Sequence, residues 1–131
     1  MNARTLANHY RQTDVASATL EASPHQLIAL LLAGARERAR LAAACLERGD
    51  LPRKSKAISD ASAIIGGLNG ALNMEAGGEI ADGLQALYDY AQRRLVAANA
   101  GNDPAPLREV DDLLGDIESA WLAIGPGGTG G

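Results

Sequence analysis

Ser23-Pro24-His25-Gln26-Leu27-Ile28, continued by Leu31, Ala35, Ala39, Ala42 and Leu46 and closed by Gly49, is the stretch that decides the fold. Ser23 is a favourable helix cap, Pro24 suits the first helical position, and Gln26 three residues after the cap completes a capping-box pattern. The apolar residues recur at three- and four-residue steps, the period of one helix face. Gly49 suits a helix C-terminus. The spacing predicts a helix over residues 24–48.

The same signals recur downstream. Asp50 is placed to cap a second segment that tolerates Pro52 in its first turn, and Ala57, Ala61, Ile64, Ile65, Leu68 and Leu72 carry the stripe over 51–73. Gly66, Gly67 and Gly70 inside it cost about 1 kcal/mol each relative to Ala, which predicts either close packing there or a locally soft helix. Beyond Glu75-Ala-Gly-Gly, the residues Ile80, Leu84, Leu87, Ala91, Leu95 and Ala98 mark a third helix, 79–100. Asp103-Pro104 opens a fourth, 104–124, with Leu107, Val110, Leu113, Leu114, Ile117, Trp121 and Ile124 on one side. Its acids Glu109, Asp111, Asp112 and Asp116 fall mainly on the other, as a solvated face.

Residues 1–22 are polar with scattered Leu6, Tyr10 and Val15, which predicts a flexible N-terminal arm, and the Gly-rich 125–131 predicts a disordered tail. Four helices of about 20 residues with short connections must run antiparallel to their neighbours. The expected fold is all-α, an antiparallel up-down four-helix bundle spanning 23–124.

Composition agrees with one small core. The chain has 131 residues, 47% apolar, with no Phe, one Trp and three Tyr, and about a fifth of it is Ala. Small side chains favour closely packed helices over strands. Residues 1–56 carry nine Lys/Arg against five Asp/Glu, whereas 57–131 carry three against eleven. Positive charge is neither strong nor interleaved with aromatics, so nucleic-acid binding is not indicated. No stretch reaches the roughly 18 apolar residues of a membrane helix, and the N-terminus lacks a signal-peptide pattern, which points to the cytoplasm without membrane insertion.

Chemistry is sparsely provided for. Lone Cys45 has no disulfide partner and no ligand at metal spacing, so it reads as a small buried hydrophobe. His9 and His25 supply no Glu-x-x-His pair and read as solvated surface residues. No phosphate-cradling loop follows a strand, and no serine has a base placed beside it in sequence. These absences point away from an enzyme and imply neither a metal nor a cofactor.

The anomaly is the third helix. On a wheel of 100° per residue with Ile80 at zero, Leu84, Leu87, Ala91 and Leu95 lie within about 60°, while Tyr88 and Tyr90 flank them near +80° and −80°. A face of about 160° is wider than the roughly 100° a bundle core covers. Either the phenol rings pack at the bundle edges with wet hydroxyls, or part of this face is a groove for another helix or an extended peptide. Arg94, near −40° in the same sector, needs a carboxylate from another helix, such as Asp116, or must reach outward to water.

The run Leu84-Gln-Ala-Leu-Tyr88-Asp-Tyr90-Ala-Gln-Arg-Arg94-Leu95-Val-Ala-Ala-Asn99, then Asp103, Glu109-Val110 and Ala120-Trp121, resembles the flagellar export chaperone FliS family. Tyr10 before Val15, Ala22-Ser23-Pro24 with Leu27-Ile28 and Gly34, and Leu68-Asn69 with Leu72-Asn73 resemble its other signatures, so the likeness spans about residues 10–124. Leu32 stands where the family commonly has an aromatic, and Gly66-Gly67 replace bulkier residues. The resemblance implies a cytoplasmic helical bundle that binds the disordered C-terminal segment of flagellin, prevents premature polymerisation and delivers flagellin to export-gate components. With the apolar stripes, it makes Tyr10, Ile64, Leu68, Leu72, Leu84, Leu87, Tyr88, Tyr90 and Leu95 the candidate partner-binding residues, Tyr10 as an arm residue that folds over an empty groove. The competing reading is a homodimer: a structural or regulatory bundle without a client.

Overall fold

The computed structural model describes residues 23–72 and 74–125. The N-terminal arm with Tyr10 and the tail past Gly125 lie outside the described residues. Four helices follow one another: α1 Pro24–Glu47, α2 Leu51–Gly70, α3 Met74–Gly101 and α4 Ala105–Ile124. Each packs on its chain neighbours, and α1 against α4 closes the ring. The pairs across helices give the direction. His25 meets Trp121 and Glu47 meets Arg108 between α1 and α4, while Lys54 meets Asn99 and Asn69 meets Asp89 between α2 and α3. Rising numbers on one helix meet falling numbers on the next, so the molecule is an antiparallel up-down four-helix bundle.

The helix starts follow from local chemistry. Ser23 Oγ accepts the Gln26 N–H, and Gln26 Oε1 accepts the Ser23 N–H, so both donors at the start of α1 are satisfied. Asp50 Oδ1 accepts the Arg53 N–H at the start of α2, and Asp103 Oδ1 accepts that of Ala105 before α4. Helix α2 stops at Gly70 rather than running to Asn73. Within it Gly66 is exposed, and a Cβ there would stand 3.6 Å from Gln92 Nε2. That is ordinary contact, so Gly66 answers no close approach of another backbone. In α3, Gly78 has φ 52° and ψ −125°, a left-handed conformation that breaks the helix just before Glu79.

Leucine and isoleucine build the core around Leu31, Leu32, Ile65, Leu68, Leu95, Leu107 and Leu114, with Ala35, Ala61, Ala91 and Ala98 as the small residues between them. Each large side chain so buried contributes about 1.5–3 kcal/mol. Cys45 is a free, fully buried thiol among them.

Two expectations give way here. His25 is not a solvated surface residue: it is buried, its ring stacks on Trp121 with centroids 4.9 Å apart, and Nε2 lies 2.9 Å from the Trp121 carbonyl oxygen. The antiparallel register sets the first turn of α1 against the last turn of α4, and that neighbour is invisible from the local sequence. Nor are the acids of α4 simply a solvated face. Arg36 on α1 reaches Asp111 and Glu118, both at 2.7 Å, and the two carboxylates hold its guanidinium firmly in the charged form. At the far end, buried Lys54 donates to the Asn99 side-chain oxygen at 2.7 Å and to its carbonyl at 3.2 Å, tying α2 to the end of α3.

Candidate functional site: an apolar groove at one end of the bundle

The broad face of α3 resolves into two stripes. Ala81, Leu84, Tyr88, Ala91, Leu95 and Ala98 step by three and four and form the seam turned to the core, all but half-buried Leu84 fully buried. Ile80, Leu87 and Arg94, seven residues apart, form a second stripe beside it. Ile80 is 76% exposed and Leu87 38%. The core therefore lies on the Tyr88 side of the wheel, and Ile80 points away from it.

Ile80 and Leu87 of the second stripe border a groove of about 500 Å³ at the end of the bundle where α2 hands over to α3. Leu68, Ala71 and Leu72 form one wall and Ile80, Leu84, Leu87 and Tyr88 another. Helix α4 closes it with Leu113, Ile117, Ala120, Trp121 and Ile124, and Ile28 of α1 completes the lining. Asp116 is the one charged residue in this lining. Such a concave, apolar surface with few polar groups is suited to an apolar or amphipathic segment, not to chemistry on a small polar substrate.

The nine candidate residues part company in the structure. Leu68, Leu72, Leu84, Leu87 and Tyr88 come together around the groove. Tyr88 belongs equally to the core, and burial pushes its phenol up to about 12. Ile64 and Leu95 are buried in the core and line no part of the groove. Tyr90 sits on the exposed α3–α4 seam, where its hydroxyl donates to Glu109 Oε2 at 2.6 Å and Arg93 lies 5.8 Å from its ring centre. Tyr10 lies outside the described residues.

Arg94 finds its carboxylate, but not the expected one. Its Nε donates to Glu109 Oε1 at 2.6 Å, one turn below Tyr90, and Asp116 is left out. Glu109 accepts from both groups. The hydrogen bond from Tyr90 and then the one from Arg94 hold its carboxyl below the usual range, while donation to Glu109 raises the Tyr90 phenol.

The groove residues that the sequence reading did not nominate are Ala71, Ile80 and those of α4 and α1. Trp121 is the largest of them, held by donating Nε1–H to the His25 carbonyl oxygen at 2.9 Å. The signal was present in the apolar stripe of α4, but only the packing of α4 beside α3 brings that stripe to the groove. Among the described residues, no group of three or more His, Cys, Asp and Glu side chains is placed to hold a metal ion, and no helix is long and apolar enough to cross a membrane.

Comparison with known proteins agrees with this architecture. The sequence model of the family described as flagellar protein FliS matches residues 6–127. The flagellar secretion chaperone FliS of Salmonella typhimurium is 48% identical over 118 residues, covering 89% of this chain and 87% of its own. The flagellar secretion chaperone FliSB of Pseudomonas aeruginosa is 42% identical over 124 residues, covering 95% and 98%. FliS of Vibrio cholerae is 38% identical over 117 residues, covering 89% and 86%. The groove-lined four-helix bundle and these matches over most of the chain lead to one conclusion: the chain belongs to the flagellar protein FliS family.

Proposed function

We propose that this chain is a cytoplasmic, non-catalytic secretion chaperone whose client is the C-terminal segment of flagellin, held so that it neither polymerises early nor aggregates before export. The observation that carries the reading is the apolar groove, where Ile80, Leu87 and Ile124 stand open together on one concave surface, whereas the other exposed large apolar residues, such as Leu41, Leu51, Val96 and Leu122, lie outside it. A contiguous exposed apolar surface of this kind marks a place for a partner's apolar side chains. A disordered client segment orders on binding, so affinity comes from apolar burial net of the ordering cost, and release needs no nucleotide. Hand-over to export-gate components belongs to the same reading.

The test is isothermal titration of the protein with a peptide of the last 40 or so residues of flagellin from the same organism, beside an N-terminal flagellin peptide of equal length. One-to-one binding confined to the C-terminal peptide, with a negative heat-capacity change, is expected. Binding of neither peptide, together with a stable homodimer in light scattering that buries Ile80 and Leu87, overturns it.

A further inference from the structure

Helix α4 carries five carboxylates. Asp111 and Glu118 hold Arg36, and Glu109 holds Arg94 and Tyr90. Asp112 and Asp116, one turn apart, are exposed and make no hydrogen bond or ion pair among the described residues. Of these two only Asp116 lines the groove. The groove lining holds no Lys or Arg, Arg94 of α3 is engaged by Glu109 and Arg36 of α1 by Asp111 and Glu118, and α3 presents to the groove only Ile80, Leu84, Leu87 and Tyr88.

A carboxylate at the lip of an apolar groove is stable while water reaches it. When a partner segment covers the groove, that water leaves. An apolar side chain laid over Asp116 would strand a desolvated, unpaired charge. A Lys or Arg there makes a charge-assisted pair, and its aliphatic stem lies along the neighbouring Leu113 and Ala120.

We infer that Asp116 is the specificity-determining charge of the groove, selecting a partner segment in which a Lys or Arg is set within an apolar run and fixing that segment's register. This rests on the chaperone reading above and names the chemistry that the client must carry. Discrimination arises from both sides of the balance, the pair gained with a basic residue and the stranded charge incurred without one.

The experiment titrates wild-type protein, Asp116→Asn and Asp112→Asn with the flagellin C-terminal peptide, and with peptides in which each Lys or Arg is replaced in turn by Gln. Asp112 is the control, also an exposed carboxylate without a partner among the described residues, but outside the groove. Asp116→Asn is expected to weaken binding about tenfold and to flatten its salt dependence, while Asp112→Asn stays within about twofold. One Gln peptide should lose the same factor against wild type and nothing further against Asp116→Asn. Thermal melting of Asp116→Asn should match wild type, because the side chain makes no bond among the described residues. Undiminished binding by Asp116→Asn, or equal weakening by both variants, overturns the inference and leaves the chaperone reading intact. Failure of the wild-type protein to bind the peptide at all overturns both.

Discussion

Trp121 and His25 each donate a ring N–H to the other's backbone carbonyl, both at 2.9 Å, with their rings stacked 12° from parallel. A carbonyl oxygen only accepts, so this bond places the His25 proton on Nε2. The pair joins the first turn of α1 to the last turn of α4 and fixes the indole that walls the groove. His25→Ala removes the stacking and one hydrogen bond and should cost about 2–3 kcal/mol in urea unfolding. Trp121 is the sole tryptophan, so its emission should also shift to the red in the folded variant. An unchanged spectrum and midpoint would show that the pair fixes nothing.

Lys54 and Asn99 should respond unequally to mutation. Asn99→Ala leaves a buried ammonium with a single carbonyl partner and should destabilise by about 2–3 kcal/mol. Lys54→Met removes the buried charge itself and fills similar space, so its cost should stay below about 1 kcal/mol. Chemical denaturation of the two variants decides, and the reverse order would contradict this account.

Alkaline pH should act through Tyr88. Its phenol is raised to about 12 by burial, so between about pH 10 and 12 the unfolded chain has lost this proton while the folded one keeps it. The stability it contributes is complete below pH 10 and is lost as pH rises through 12, by up to about 3 kcal/mol. Urea midpoints from pH 9 to 12 should fall less steeply in Tyr88→Phe than in wild type.

Gly115 and Arg36 should prove coupled. A Cβ at Gly115 would stand 3.0 Å from Arg36 Cζ, and the guanidinium is pinned between Asp111 and Glu118. Gly115→Ala should therefore bring none of the roughly 1 kcal/mol that Ala offers in a helix interior while Arg36 is present. In an Arg36→Ala background the same change should stabilise by about that amount, a coupling visible in a double-mutant cycle.

Ile80 separates binding from stability. It is 76% exposed, so Ile80→Ser should leave the melting midpoint within about 0.5 kcal/mol of wild type. Titration with the flagellin C-terminal peptide should show affinity reduced about tenfold. Unaltered affinity would remove Ile80 from the binding surface.

What the sequence by itself determined was local: where helices begin, roughly where they end, and that four of them with short connections form an antiparallel bundle. Ser23, Gln26 and Asp50 cap as read because capping acts over three residues. The apolar steps of α3 fix the angles between its side chains, and so its excess width was legible too. The tertiary structure decided which way that width faces, with Tyr88 turned inward and Ile80 outward. It also decided that Arg94 pairs with Glu109 and not Asp116, that His25 is buried against Trp121, and that α4 supplies much of the groove. The physical reason is common to all four. A helical wheel gives relative directions within one helix, whereas contacts between helices depend on each helix's rotation and on the register of antiparallel neighbours, which only the packing of the whole core sets.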